Sequence, residues 1–320
     1  MRGNDAAKDM TISKLYRGRF APSPTGPLHF GSLVAALGSY LDARHHRGEW
    51  LLRMEDLDPP REVAGAGDLI LRTLETFGLE WDGPVVYQSQ RAVLYENALA
   101  QLERADHLYG CACTRREIAD SAVGPDNSRI YPGTCRAGLP PGRKARTLRV
   151  RVHDNNITLT DALQGQMQQR LGQAVGDFIL RRAGGLFAYQ LAVVVDDAEQ
   201  EITHVVRGAD LLDSTPRQVY LQQLLAYPTP GYLHLPMAVD VRQDKLSKQT
   251  FAPAIDAQQC TATLCQALTF LGQPLPDAAS EASPAELLRW AVAHWDRAAL
   301  PAQRMRDAPP QFQYDSTERE

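Results

Sequence analysis

The chain has 320 residues, 44% of them hydrophobic, which predicts a folded protein of about two domains with a substantial core. Its net charge of −4 excludes a protein that coats nucleic acid through overall charge, so an RNA partner requires a local basic patch. No apolar run suits a membrane span, and "MRGNDAAKDMTISK" lacks the apolar segment of a secretory signal, so we expect a cytoplasmic protein with no membrane partner. The five cysteines, an odd number, favour reduced thiols over a disulfide framework.

Strands and helices are predicted to alternate in the first part of the chain. Residues 1–14 are polar and predict a flexible N-terminal extension. "LYRGRFAP" predicts a strand, and the apolar spacing from Phe30 to Leu41 predicts a helix that ends near Gly48. "EWLLRME" and the spacing from Leu69 to Phe77 predict a second strand and helix. This order indicates a parallel α/β sheet with right-handed crossovers, whose first half spans residues 15–106.

The alternation is interrupted in the middle of the chain. Residues 107–176 carry three cysteines and short strands such as "TLRVRV" and "ITLTD", and they predict an insertion with its own small fold. The second half of the α/β domain is predicted at residues 177–250, including the helix "STPRQVYLQQLLAY" with Ser214 as its cap. Residues 251–308 predict a short C-terminal helical element, and residues 309–320 a flexible tail.

The turn "APSPTGPLHFGS" between the first strand and helix has the composition of a phosphate site. Such a turn directs backbone N–H groups and the positive end of the helix dipole at its ligand. Gly26 and Gly31 would let the backbone approach closely, and His29 would donate to a phosphate oxygen. From the residues alone, a histidine at a helix start is more commonly a cap, so that alternative stands beside the functional one.

This turn and the late segment "KLSKQ" resemble the HIGH and KMSKS signatures of class I aminoacyl-tRNA synthetases. The signatures read here His29-Phe30-Gly31-Ser32 and Lys245-Leu246-Ser247-Lys248-Gln249. "LLRMEDLDPPRE", "YQLAVVVDD", "THVVRGADLLDSTPRQ" and "YLHLP" are similar to the glutamyl branch of the class, in the same order. The resemblance implies a Rossmann-type doubly wound parallel sheet with a small zinc-bearing insertion, and ATP bound at the carboxyl ends of the strands.

The resemblance also implies the first reaction, in which the α-carboxylate of glutamate attacks the α-phosphorus of ATP, with Mg accompanying the ATP, to give glutamyl-adenylate. The residues implied for catalysis are His29, Gly31, Lys245 and Lys248. Those implied for ATP binding are Gly26, His29, Gly31 and Lys248. The glutamate pocket is assigned to Arg19, Phe20, Ala21, Pro22, Ser23, Glu55, Tyr189 and Arg207. Arginine suits a carboxylate because its planar fork donates two hydrogen bonds, and Glu55 is assigned to the ammonium group.

The cysteines of the insertion predict a metal site. Cys111, Cys113 and Cys135 supply three thiolates, whereas structural zinc takes four ligands. From the residues alone His107 is the obvious fourth ligand, because histidine is the usual partner of cysteine. The resemblance instead implies Tyr131, in "YPGTC", and we predict one structural zinc with Tyr131 as the fourth ligand.

A nearer resemblance, to the truncated glutamyl-queuosine tRNA(Asp) synthetase family, rests on "KLSKQ", the cysteine and tyrosine spacing, and the short segment after Gln249. It implies glutamate activation without tRNA and then transfer to the cyclopentenediol of queuosine at the wobble position of tRNA(Asp). We expect a monomer whose basic span "RAGLPPGRKARTLRVRV", with Arg181 and Arg182, contacts tRNA phosphates. The alternatives are a glutamyl-tRNA synthetase without its own anticodon-binding module, and a catalytically silent glutamate- or tRNA-binding protein.

Overall fold

The computed structural model describes residues 15–124, 128–154, 156–246 and 252–313. Three predicted features lie outside these ranges. They are the N-terminal extension, residues 314–320 of the predicted tail, and the part of the second signature that contains Lys248.

The first sheet follows the alternation predicted from the sequence. Strands β1 (Arg17–Phe20), β2 (Glu49–Met54) and β3 (Val86–Tyr87) are parallel and adjacent in this order. Helix α1 (Phe30–His45) connects β1 to β2, and helix α2 (Ala66–Thr76) connects β2 to β3. The apolar spacing that predicts α1 is satisfied by burial, since Phe30, Leu33 and Leu37 are fully buried.

The second sheet is mixed rather than parallel throughout. It contains β6 (Asn156–Asp161), β7 (Gly165–Arg170), β9 (His204–Gly208) and β10 (Gly231–Leu235), in the order β7-β6-β10-β9. β9, β10 and β6 are parallel, whereas β7 pairs with β6 as an antiparallel hairpin. The prediction of a wholly parallel sheet is therefore wrong at this edge. Residues 156–170, predicted to belong to the insertion, instead extend this second sheet. The alternate residues Ile157 and Leu159 are buried in the core that it covers.

Three helices cover this second core. They are α3 (Ala92–Arg104), α5 (Tyr189–Glu199) and α6 (Thr215–Leu225), and they pack on one another. The predicted cap of α6 is wrong, because the Ser214 side chain bonds to no amide of that helix and accepts from Gln190 Nε2 at 3.1 Å. Short helix α4 (Leu171–Ala174) follows β7. None of the helices in the described ranges has the length and apolarity needed to cross a membrane.

The cysteine-bearing part forms a small antiparallel sheet. Its strands are β4 (Leu108–Cys111), β5 (Thr147–Val150) and β8 (Ile179–Arg181), in this order. The long connection between β4 and β5 contains Tyr131 and Cys135, and both side chains are buried against Cys111. This part of the predicted insertion is therefore organised around the cysteine cluster.

The C-terminal element packs against α1. It contains α7 (Cys260–Phe270), α8 (Pro284–Ala293) and β12 (Met305–Asp307), which pairs with β11 (Met237–Val239). Asp42 of α1 is buried and accepts hydrogen bonds from Trp295 Nε1 at 3.0 Å and Arg297 Nε at 2.6 Å. Residues 309–313, predicted to belong to a flexible tail, instead belong to this element, because Phe312 is buried and its ring stacks on Phe30 with the ring centroids 4.4 Å apart.

Candidate active site

A cavity of about 570 Å³ opens at the carboxyl ends of β1, β2, β9 and β10. Residues from both sheets line it, as expected for a ligand site on an open α/β sheet. The predicted site residues that line it are Arg19, Phe20, Ala21, Pro22, Ser23, His29, Gly31, Glu55, Tyr189, Arg207 and Lys245. Gly26 is not among the lining residues; its φ of +138° instead shapes the turn before α1.

One end of the cavity is formed by the start of α1. His29 is the N-cap of this helix, and its Nδ1 accepts a hydrogen bond from Ser32 N at 3.3 Å. The capping alternative raised by the sequence is therefore correct, and the ring lines the cavity at the same time. Because Nδ1 accepts, the neutral ring carries its proton on Nε2, and a donor of this kind suits a phosphate oxygen.

Close packing around the start of α1 explains the glycine of the first signature. A Cβ atom at Gly31 would lie 3.3 Å from His29 Cε1 and 3.7 Å from Ala238 Cβ, which is tight against the capping ring. Lys245 also lines the cavity, and it forms an ion pair with Asp210. The second signature therefore brings at least one lysine to the cavity.

Arg207 is a buried cation that faces the cavity without a carboxylate partner among the described residues. Its Nε donates to His234 Nε2 at 3.0 Å, and its Nη2 donates to Thr215 Oγ1 at 2.9 Å and Gln218 Oε1 at 2.8 Å. All of these acceptors are neutral, although burying an uncompensated charge is costly. The arrangement therefore favours the binding of an anion beside Arg207.

Arg19 differs from Arg207 because an internal carboxylate already neutralises it. Its Nε lies 3.1 Å from Asp197 Oδ1, and Nη2 of Arg53 lies 2.7 Å from the same oxygen. The neighbouring Asp196 is fully buried and accepts from Arg91 Nε at 2.6 Å. This network was not predicted from the sequence. Its signal is the position of Asp196 and Asp197 directly after the apolar run "VVV", which indicates buried, paired charges.

Glu55 lies on the turn after β2, next to these arginines. Burial raises the pKa of its carboxyl to about 7, although Arg53 and Arg19 act in the opposite direction. An ammonium group bound beside Glu55 would favour the ionised form and lower this pKa.

The cysteines converge in a second place, on the small antiparallel sheet. The sulfur atoms of Cys111, Cys113 and Cys135 all lie within 4.8 Å of one another. The Tyr131 hydroxyl lies 3.4 Å from Cys111 Sγ and 3.6 Å from Cys113 Sγ. Burial opposes ionisation of Cys111, but hydrogen bonds from Tyr131 and Arg149 outweigh it and lower its pKa to about 7. This donor set fits a tetrahedral thiolate site, because thiolates are the ligands that zinc prefers.

The alternative ligand, His107, is placed differently. Its ring packs edge-on against His153, with ring centroids 6.1 Å apart, and it is not part of the cysteine group in the described chain. The Tyr131 ring instead lies under Arg149, whose Cζ is 3.8 Å from the ring centroid.

Most of the basic span is used inside the protein, contrary to the expectation that all of it contacts tRNA. Arg149 is buried and donates to the Asp177 carbonyl at 2.7 Å, and Arg136 forms an ion pair with the Asp177 carboxylate. Lys144 and Arg146 are exposed and form no ion pair with a described residue. The local charge available to an anionic partner is therefore smaller than the sequence suggests.

The other expected tRNA contacts are also paired. Arg143 forms an ion pair with Glu117 at 2.6 Å, Arg181 with Glu96 at 2.9 Å, and Arg182 with Asp58 at 3.3 Å. Arg182 also lines a second cavity of about 180 Å³, which adjoins the first. The residues that line both cavities are Ser23, Thr25, Glu55, Arg61 and Tyr189.

Comparison with known proteins agrees with this fold and site. A family model described as "tRNA synthetases class I (E and Q), catalytic domain" matches residues 16–263. Two solved structures are similar, a glutamate-tRNA synthetase from Elizabethkingia anophelis (TM-score 0.77) and a glutamate tRNA ligase from Elizabethkingia meningosepticum in complex with its amino acid (TM-score 0.75). Both are 25% identical; the matches cover 93% of this chain and 69% and 68% of theirs. The fold is that of a class I synthetase catalytic domain.

Curated relatives are much more similar in sequence. The glutamyl-Q tRNA(Asp) synthetase of Dechloromonas aromatica is 59% identical over 292 residues, which is 91% of this chain and 97% of that protein. The protein of the same name from Neisseria meningitidis serogroup C is 52% identical over 292 residues, or 90% and 98% of the two chains. The chain belongs to the glutamyl-Q tRNA(Asp) synthetase family of class I synthetases.

Proposed function

We propose that this protein activates glutamate with ATP and transfers it to the queuosine of tRNA(Asp). One observation carries the proposal: a single cavity is lined both by Arg207 and by His29 at the start of α1. Arg207 is buried and pairs with no carboxylate among the described residues. An amino-acid carboxylate and a nucleotide phosphate can therefore occupy the same space, as adenylate formation requires. The names of the curated relatives supply the identity of the acceptor.

In the first step, the α-carboxylate of glutamate attacks the α-phosphorus of ATP and pyrophosphate leaves. We assign the side-chain carboxylate to Arg207 and the ammonium to Glu55, because both line the cavity and the side-chain acceptors around Arg207 are neutral. The start of α1, with His29, holds the phosphates, and Lys245 and Lys248 neutralise the leaving pyrophosphate. Mg bound with the ATP supplies further charge neutralisation. Positioning and electrostatics are the protein's main contribution.

In the second step, a hydroxyl of the cyclopentenediol attacks the acyl carbon of glutamyl-adenylate, and AMP leaves. We assign the acceptor ring to the second cavity, because it shares Glu55 and Tyr189 with the glutamate end of the first. Phe187 offers an aromatic face for a splayed base, and Asp58 and Gln88 offer hydrogen-bonding groups.

We also propose that the cysteine cluster holds one structural zinc, with Tyr131 as the fourth ligand. The apolar cluster around it contains few residues besides the ligands themselves, so packing alone stabilises this loop weakly. Zinc, when bound, would fix the connection between β4 and β5 through the ligand bonds.

The function is tested by measuring glutamate-dependent pyrophosphate exchange without tRNA, and then glutamate transfer to tRNA(Asp) with and without queuosine and to tRNA(Glu). We expect exchange without tRNA and transfer only to the queuosine-containing tRNA(Asp). Transfer to tRNA(Glu) would instead identify a charging synthetase. Binding of glutamate without any exchange would identify a silent binding protein.

Substitution of Arg207 tests the glutamate assignment. Arg207→Ala is expected to raise the KM for glutamate roughly a hundredfold in pyrophosphate exchange and to change the KM for ATP little, because a buried partner of a carboxylate is lost. Arg207→Lys keeps the charge without the fork, so its KM should lie between the two. An unchanged KM for glutamate in Arg207→Ala would remove this arginine from the pocket.

The zinc assignment is tested by metal analysis of purified variants. We expect one zinc per chain, reduced zinc retention in Tyr131→Phe against a chelator, and a lower melting temperature for the stripped protein. His107→Asn is the matched control and should retain the metal fully. Full retention in Tyr131→Phe together with loss in His107→Asn would assign the fourth ligand to His107.

The exposed cations are tested with Lys144→Gln/Arg146→Gln. We expect the KM for tRNA(Asp) to rise roughly tenfold. The slope of log KM against log salt concentration should decrease by the amount that corresponds to about one to two phosphate contacts. Pyrophosphate exchange should not change. The control Arg72→Gln/Arg289→Gln removes the same charge from exposed sites on α2 and α8. Equal effects of the two pairs would show that only net charge matters.

A further inference from the structure

A buried row of three polar side chains lies behind the wall of the cavity. Asp161 ends β6, His234 lies in the neighbouring strand β10, and Arg207 lies in β9. Their exposed fractions are 2%, 0% and 5%. His234 Nδ1 lies 2.6 Å from Asp161 Oδ2, and His234 Nε2 lies 3.0 Å from Arg207 Nε. Only the arginine lines the cavity.

His234 has three hydrogen-bond partners, Asp161 at Nδ1 and both Arg207 and Thr215 at Nε2, and together they allow one tautomer of its ring. A carboxylate accepts, so Nδ1 carries the proton and donates it to Asp161. A guanidinium only donates, so Nε2 is bare and accepts from Arg207. Burial lowers the pKa of His234 to about 4, with Arg207 acting in the same direction and Asp161 opposing, which keeps the ring neutral. The ring therefore converts an anion on one side into a neutral acceptor on the other.

This acceptor determines which edge of the guanidinium faces the cavity. Nε is held by His234, and Nη2 is held by Thr215 and Gln218 on α6. Nη1 is directed towards the cavity-lining Tyr189, whose hydroxyl is 3.4 Å away. A fork held in this way presents its Nη1 edge to a carboxylate without a loss of rotamer freedom on binding.

We propose that Asp161 is a positioning residue for glutamate recognition, acting through the tautomer of His234 on the orientation of Arg207. The proposal rests on the assignment of Arg207 to the glutamate carboxylate. Asp161 touches neither glutamate nor ATP in this arrangement. Its effect is transmitted through two hydrogen bonds in a dry interior, where each bond to a charged group is strong.

Asparagine at position 161 is the informative substitution, because the shape of the side chain is kept. Asp161 Oδ1 accepts from three backbone N–H groups, those of Leu163 at 3.0 Å, Gln164 at 2.8 Å and His234 at 3.2 Å. These donors hold the asparagine oxygen in place and turn its NH₂ towards His234 Nδ1. The ring must then carry its proton on Nε2, where it meets the Nε–H of Arg207, donor against donor. The acceptor left to that proton is Thr215 Oγ1 at 3.2 Å, which Arg207 Nη2 also uses, so the contacts that hold the guanidinium change.

The experiment measures KM and kcat in glutamate- and ATP-dependent pyrophosphate exchange. Asp161→Asn is expected to raise the KM for glutamate roughly ten- to a hundredfold, with the KM for ATP unchanged, because one bond to a charged group is lost. His234→Asn leaves Asp161 intact, keeps a donor near the Nδ1 position and removes the acceptor for Arg207. His234→Asn should therefore raise the KM for glutamate about as much as Asp161→Asn does. With two variants, the test does not depend on the folding of one of them.

A rescue background separates the tautomer effect from a general structural role. In His234→Gln, the amide oxygen replaces the acceptor near the Nε2 position and has no tautomer to exchange. Adding Asp161→Asn to this background is expected to change the KM for glutamate by less than about twofold. If Asp161→Asn costs the same factor in both backgrounds, or raises the KM for ATP equally, the proposal is overturned.

The Arg207→Ala variant distinguishes this proposal from the function beneath it. An unchanged KM for glutamate in Arg207→Ala would refute the pocket assignment itself. A raised KM in Arg207→Ala with a normal KM in both Asp161→Asn and His234→Asn would refute only the positioning role.

Discussion

Asp197 is the charge on which the architecture of the site depends. Its buried carboxylate on α5 accepts from Arg19 at the end of β1 and from Arg53 on β2. Two strands of the first sheet are thereby tied to the helix that precedes β9 of the second sheet. Since burial disfavours the ionised carboxyl, the two guanidinium groups are what hold the pKa of Asp197 below its usual range. Loss of either arginine would leave a charge without its partner in the interior.

This internal pairing gives the arginines of the site different tasks. Arg19 and Arg53 are neutralised by a fixed carboxylate and stabilise the walls of the cavity. Arg207 is held by neutral acceptors and keeps its charge for a ligand. Among the described residues, Arg19 and Arg53 pair with a carboxylate and Arg207 does not. Because a preorganised cation in a low-dielectric site attracts an anion strongly, this contrast favours the binding of an anion at Arg207.

The sequence predicted the local features of the catalytic half well. The strand, turn and helix from Arg17 to His45 are present, and His29 and Gly31 of the first signature line one cavity. These features depend on short-range spacing and on backbone conformation, which neighbouring residues encode directly. The hairpin of β6 and β7 was predicted less well. The alternating pattern of β6 fits a strand of an insertion and a strand of the second sheet equally. Only its pairing with β10 decides between them.

By itself, the sequence determined the class of fold and the turn between the first strand and helix, and it predicted the metal ligands and the residue types of a glutamate pocket. The tertiary structure decided which cations bond to groups inside the protein, as Arg136 and Arg149 do, and which face the cavity, as Arg207 does. It also brought the Tyr131 hydroxyl, rather than His107, next to the cysteines, and Asp161 next to His234. The physical reason is that the environment of a charge is set by residues far apart in the chain, and burial makes its pairing decisive.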